Sequence, residues 1–374
     1  MTVARRNEWL DLCRALAILL VLLSHGRYLV RSALPWADYL RFGGFMGVEL
    51  FFALSGFLIG GILIRLSRGS STHWLRGFYA RRWFRTLPNY YLFLLVNVLL
   101  VVFGTYSAEL DTVWKYLFFI QNLFGPHPPF FAEAWSLALE EVFYLLFPAL
   151  FLLVSRLLGL PHVRSILVVA VAVIVLSLLA RLLLANSIET WDAGLRKVVF
   201  LRFDTLMFGV LLAWVYHRHS PWLKKPGLAT GMTVVFVACV IYYGLVTDSE
   251  LNESFFAKTF YLSLVPIGCA GFLLIGIERR LPGWLASVSG FLARISYSVY
   301  LVNLPVMLTL IHLFGCCGNS LLGAFGMWLV FMVLTLAISH GVYEFYEKRF
   351  NTLRDRYFPT RVSGVRGTEQ VGHA

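Results

Sequence analysis

The chain has 374 residues, 59% of them hydrophobic and only 14% charged, with a mean hydropathy of +0.74. Soluble globular domains carry nearer a quarter charged residues, so a water-soluble enzyme is excluded and a polytopic membrane protein is indicated. The formal net charge of +12 would point a soluble chain towards nucleic acid; here it reads as membrane sidedness, because Lys and Arg gather on the cytoplasmic side, and no nucleic-acid partner is expected.

Arg5 and Arg6 ahead of an apolar run look like the start of a signal peptide. That run carries Arg14, however, and no small-residue cleavage pattern follows, so a retained first helix is expected. Within it Arg14 and His25 stand eleven positions apart, about 16 Å along a helix axis. That distance is roughly half the hydrocarbon core of a bilayer. A cation near one face and a titratable ring past the midplane suit a reaction path, because ionisable groups at such depths usually face an interior or a cavity. The competing account is snorkelling by Arg14 and helix packing by His25.

Hydropathy predicts an all-α bundle of about ten transmembrane helices, near 11–30, 43–64, 86–104, 136–155, 164–184, 198–217, 226–246, 259–277, 291–313 and 321–343. The stretch 112–125 is too short for a span and reads as a re-entrant or interfacial piece. Between the second and third spans, THWLRGFYARRWFRTLPNYY places Trp74, Phe78, Arg81, Arg82 and Arg85 at helical spacing, an interfacial helix with an aromatic and a cationic face. Its simplest role is an anchor to lipid phosphates. Pro88 signals a helix start or a kink. The polar stretch 351–374 is expected to be a poorly ordered cytoplasmic tail.

With both termini cytoplasmic, 21 Lys and Arg fall on inner segments and 7 on outer ones. The first outer loop still carries Arg27, Arg31 and Arg41, either as surface charge or to meet an anionic lipid or glycan. Cys13, Cys239 and Cys269 read as small buried hydrophobes, and adjacent Cys316 and Cys317 give no disulfide framework. No CxxC or Cys/His cluster supports a metal, and none is expected.

Several polar residues fall where lipid would otherwise be: Glu49 in the second span, Glu140 and Glu141 in the fourth, Asp204 in the sixth, Asn303 in the ninth and His340 in the tenth. Glu49, Glu140, Asp204 and His25 all lie in the outer half. Their desolvation calls for pairing or water, and a water-accessible cavity meets that need. In it a carboxylate could fix the imidazole tautomer while the free nitrogen takes a proton from a hydroxyl. Arg202 and Asp204 could instead be a local polar pair, and Glu140 a packing contact. A proton-coupled transporter or flippase would use the same features; a passive scaffold explains them least well.

Separated motifs then narrow the choice. Arg14 and His25 form R-x10-H, followed in order by FFALSGFL (Phe51 to Leu58), RRWFRTLPNYY (Arg81 to Tyr91) and WSLALEEVFYLLFP (Trp135 to Pro148). RFDTLMFG (Arg202 to Gly209), ISYSVYLVNLPV (Ile295 to Val306) and YEFYEKRF (Tyr343 to Phe350) complete the set. In these motifs the chain resembles the membrane acyltransferase 3 family, which includes O-antigen, peptidoglycan, Nod-factor and macrolide acyltransferases.

The resemblance implies one transmembrane acyltransferase domain over 1–350, in the bacterial cytoplasmic (inner) membrane. It implies transfer of an acyl group, usually acetyl, from acetyl-CoA or another acyl-CoA to a hydroxyl of an envelope glycan or lipid-linked sugar. His25 matches the family's essential histidine and Arg14 its paired arginine. Arg82 and Arg85, with Arg81 beside them, match the RxxR region for the donor phosphates. Glu140 matches the acid of the WSLxxE block, with Asp204 as the second acid available to orient the ring. Glu49, Trp135, Tyr297 and Asn303 are expected to position substrate. One departure stands out: Asn303 replaces the family's usual histidine before the proline of the ninth span, and an asparagine cannot act as a base near neutral pH. No periplasmic esterase-like domain, which some relatives carry, is expected.

Overall fold

A computed structural model describes residues 7–67, 74–218, 226–315 and 320–359, which are helical with no strand among them. Each expected segment is represented by a helix: α1 (Glu8–Val30), α2 (Arg41–Leu66), α3 (Trp74–Val102), α4 (Ala134–Leu158) and α5 (His162–Leu184). There follow α6 (Asp204–His217), α7 (Pro226–Leu245), α8 (Tyr261–Leu274), α9 (Gly283–Phe314), α10 (Leu321–Val342) and a final α11 (Lys348–Tyr357). Eight segments among the described residues are long and apolar enough to cross a membrane; they take in every helix but α6 and α8, the last running from α10 through α11. At 14 residues each, α6 and α8 reach only about 21 Å, short of a 30 Å hydrocarbon core. Both are buried among the longer helices rather than offered to lipid.

Cross-chain contacts sort the helix ends into two faces. On one face Asn7 caps α1 and donates to the Ile277 carbonyl (2.8 Å), His162 meets Ser67, and Arg81 meets Asp355. On the other, Ser24 reaches the Arg41 carbonyl, Arg41 pairs with Asp248 at 2.5 Å, and Asn122 donates to the Lys197 carbonyl. The first face carries the basic clusters at 76–85 and 348–356, as the charge count predicts for the cytoplasmic side.

Two expectations need correcting. The interfacial helix and the third span are a single 29-residue α3, about 43 Å long, which continues through Pro88. Tyr297 and Tyr346 donate to the carbonyls of Thr86 and Pro88, so partners outside the helix serve its backbone around the proline. The tail does not lose structure at 351: α11 runs to Tyr357 and packs along α3, with Arg81 bound to Asp355 (3.1 Å) and to the Phe358 carbonyl. Residues 360–374, and Cys316 and Cys317, lie outside the described residues. The 112–125 stretch holds only the short helix Val113–Leu117 within a loop on the far face.

α2 is the centre of the bundle, packed against α1 on one side and α6 on the other. Its glycines make this possible. A Cβ at Gly56 would stand 2.0 Å from the Leu206 carbonyl oxygen, and one at Gly209 would stand 2.3 Å from that of Ala53, so the two backbones touch.

Candidate active site

His25 sits in the last third of α1, half-buried against α9. Its Nδ1 is hydrogen-bonded to Asn303 Oδ1. The orientation of the amide follows from its other contacts. Asn303 Nδ2 donates to the carbonyls of Val299 (3.1 Å) and Tyr300 (2.6 Å), and a carbonyl can only accept. Oδ1 therefore faces the ring and Nδ1 carries the hydrogen. Nε2 is left with its lone pair, which is the form a base requires.

A cavity of about 100 Å³ lies between α1, α2, α3, α4 and α9. By helix register Arg14, Arg82 and Arg85 line its half nearer the basic face, Glu140 and Tyr144 its middle, and Ser136 and Tyr300 its far end. Glu140 accepts from Ser55 Oγ (2.8 Å) and Tyr144 OH (3.0 Å), while the Arg82 guanidinium lies 5.3 Å from the Tyr144 ring centre. Tyr297 lines the wall. His25 itself does not, but Tyr300 is only three residues, about 4.5 Å of helix, from the asparagine that holds it. The cavity thus reaches the helical turn that carries Asn303.

The profile of the acyltransferase 3 family, described as an acyltransferase domain, matches residues 7–344. The chain belongs to that family. It is 27% identical to the peptidoglycan O-acetyltransferase OatA of Listeria monocytogenes over 327 residues, covering 80% of this chain and 49% of the relative. It is 28% identical over 388 residues to the putative peptidoglycan O-acetyltransferase YrhL of Bacillus subtilis, covering 94% and 56%. A putative O-acetyltransferase of Staphylococcus aureus matches at 25% over 374 residues, covering 91% and 56%. The chain therefore spans about half the length of these curated relatives. No solved structure matches it.

In this acyltransferase 3 chain the motif residues separate into two groups. Arg14, Arg82, Arg85, Glu140 and Tyr297 share the cavity, with His25 and Asn303 just beyond it. Arg81 turns away to α11, and Trp135 packs against Phe52 with Arg196 over its ring at 4.6 Å. Asp204 and Glu49 belong to a second assembly. Asp204 takes a two-pronged contact from Arg181 (2.9 and 2.7 Å) plus Ser263, and Glu49 takes Arg202 (2.5 Å) and Thr205 (2.7 Å). All four charged side chains are fully buried. Neither Glu140 nor Asp204 is the ring's partner, and Arg202 pairs with Glu49 rather than with its sequence neighbour Asp204.

Ser55, Ser136, Tyr144, Arg181 and Tyr300 went unnoticed in the sequence. Four of them lie inside the motif blocks, whereas Arg181 carried its own signal, as a lone cation near the end of an apolar span. On the far face Arg27 stays within 3.7 Å of Asp38, and Arg27 and Arg31 flank the Tyr28 ring. Burial pushes the Asp192 carboxyl up, but Arg196 and Lys197 outweigh it and hold it down at about 2. Among the described residues no three His, Cys, Asp or Glu side chains cluster as metal ligands would.

Proposed function

We propose that this chain transfers an acyl group, acetyl by default, from cytoplasmic acyl-coenzyme A to a hydroxyl of an envelope glycan or lipid-linked sugar at the bacterial inner membrane. One arrangement supports the reading: a cavity lined by Arg14, Arg82, Arg85 and Glu140 reaches the turn of α9 whose Asn303 holds an imidazole with Nε2 left as a base. Relatives named as O-acetyltransferases, two of them for peptidoglycan, support the glycan acceptor.

Arg82 and Arg85 would bind the donor phosphates, where fixed guanidiniums suit phosphate oxygens. Arg14 would meet the arm further in, and Glu140, held by Ser55 and Tyr144, would keep the neighbouring arginines in place. Asn303 acts as a positioning residue for His25. Nε2 takes the acceptor hydroxyl's proton as the oxygen attacks the thioester carbonyl, and returns it to the departing thiolate. Attack by Nε2 itself, giving an acyl-histidine, is the two-step variant. Asp204, Glu49 and Trp135 hold the frame rather than the substrate.

Purified, lipid-reconstituted protein given labelled acetyl-coenzyme A and de-O-acetylated glycan should label the glycan, and His25→Ala should abolish labelling without impairing membrane insertion. Movement of an intact glycan with no donor consumed would replace this reading with a transporter. Rapid quench after donor alone distinguishes the two routes, because an acyl-His25 adduct accumulates only in the two-step one.

A further inference from the structure

Acyl transfer places negative charge on the thioester carbonyl oxygen, and that charge needs hydrogen-bond donors in a dry site. The arginines stand at the other end of the cavity and cannot serve. At the far end two hydroxyls do face the space: Ser136 in the first turn of α4 and Tyr300 on α9. Both are almost fully buried, at 4% and 6% exposure. Their oxygens lie 2.6 Å apart, and both reach the Glu133 carbonyl, Tyr300 at 3.2 Å and Ser136 at 3.3 Å.

Each hydroxyl has one hydrogen, and with Tyr300 donating across the 2.6 Å contact to Ser136 Oγ, the Ser136 hydrogen has only the long contact to Glu133. Turning that hydrogen into the cavity costs little, while Tyr300 stays on Ser136 Oγ and keeps it in place. Ser136 also stands at the start of a 25-residue helix, where the helix dipole favours negative charge. Finally, Tyr300 is in the turn that carries Asn303, so the hydroxyls and the imidazole are fixed by one stretch of α9.

We infer that Ser136, held by Tyr300, is the oxyanion donor of the transfer step. The inference rests on the acyltransferase reading above. As the acceptor oxygen bonds to the carbonyl carbon, the π electrons move to the carbonyl oxygen and the Ser136 hydrogen turns to it. When the carbonyl reforms, the carbon–sulfur bond breaks, the thiolate takes the proton from His25, and the hydroxyl returns to Glu133. Tyr300 acts through Ser136 and is a positioning residue.

The test uses the full chain in lipid nanodiscs, acetyl-coenzyme A as donor and lysozyme-solubilised, de-O-acetylated peptidoglycan strands as acceptor. Ser136→Ala should lower kcat by about 100-fold, in the range seen when one oxyanion donor is removed, with the donor KM and the melting temperature unchanged. Ser136→Thr, which keeps a hydroxyl, should recover most of that loss. Tyr300→Phe should lower kcat by about 10-fold on the same pattern, and it carries the prediction if Ser136→Ala fails to assemble. Wild-type transfer that dies with His25→Ala yet survives Ser136→Ala and Tyr300→Phe within twofold overturns this assignment alone. So does a loss that tracks donor KM instead of kcat. Absence of donor-dependent transfer by the wild type overturns the underlying reading too.

Discussion

Two sets of ionisable residues lie inside this bundle, and they differ in what holds their carboxylates. Around α2 and α6, Glu49, Arg202, Asp204 and Arg181 form two fully buried ion pairs, with Thr205 and Ser263 adding hydrogen bonds to the carboxylates. Across α2, Arg14, Arg82, Arg85 and Glu140 line open space, and the carboxylate there is held by two hydroxyls. Complete pairing removes a charge from chemistry, because any ligand must first break the pair. In the cavity set Glu140 is held by hydroxyls instead of a guanidinium, and Arg14 keeps only a 4.0 Å contact to Asp11. A carboxylate in a span is therefore informative only once its partner is known.

The comparison can be broken most forcefully from the closed side. Asp204→Ala strands Arg181 in a sealed interior and should cost about 3–5 kcal/mol, whereas Arg181→Met with Asp204→Leu should restore most of it. Thermal melts of detergent-purified protein measure both, and equal melting temperatures for Asp204→Ala and wild type would sink the distinction. Next in size is the ring's support. Asn303→Leu removes the acceptor for Nδ1–H and should lower kcat 10- to 100-fold, about 1.4–2.7 kcal/mol of barrier, with donor KM unchanged. Steady-state kinetics decide it. The donor end sharpens the contrast within a single motif. Arg85→Ala should raise the donor KM about tenfold with little change in kcat, while Arg81→Ala, whose side chain is bound to α11, should leave KM within twofold.

The smallest effect is on the far face. The Asp192 carboxyl is depressed relative to an unfolded carboxylate, so its contribution is fully present above pH about 4 and lost as pH falls towards 2. That side chain is half exposed and screened by water, which keeps Asp192→Asn under about 1 kcal/mol at pH 7. Hydrogen exchange of the 191–197 amides should show a small loss of protection, constant from pH 5 to 8.

Much of this was legible in the sequence. Apolar runs locate α1 to α10, though only eight of them lie in segments long and apolar enough to cross a membrane, and Arg14 and His25 stand out because few polar groups interrupt the first. Pairing was not legible: Glu49 and Arg202 are 153 positions apart, and only the crossing of helices brings them together. The adjacency of Arg202 and Asp204 pointed to the wrong pair for the same reason. Asn303 was visible as a departure, but an amide has no titration to betray its partner, and its use as a fixed acceptor depends on two α9 carbonyls. The boundary before the third span was misread because Pro88 and the arginines resemble an interface, whereas α3 runs on through the proline.

The backbone contact between Gly56 and Gly209 has a consequence for how the protein can move. Two helices that touch without side chains between them, and that also share the Glu49 contacts to Arg202 and Thr205, have no lubricating layer and cannot slide past each other. Any rocking of one half against the other would have to hinge elsewhere. The centre of this protein is a fixed axle, so on the proposed function the acyl group would pass through a rigid frame and not ride on a moving one.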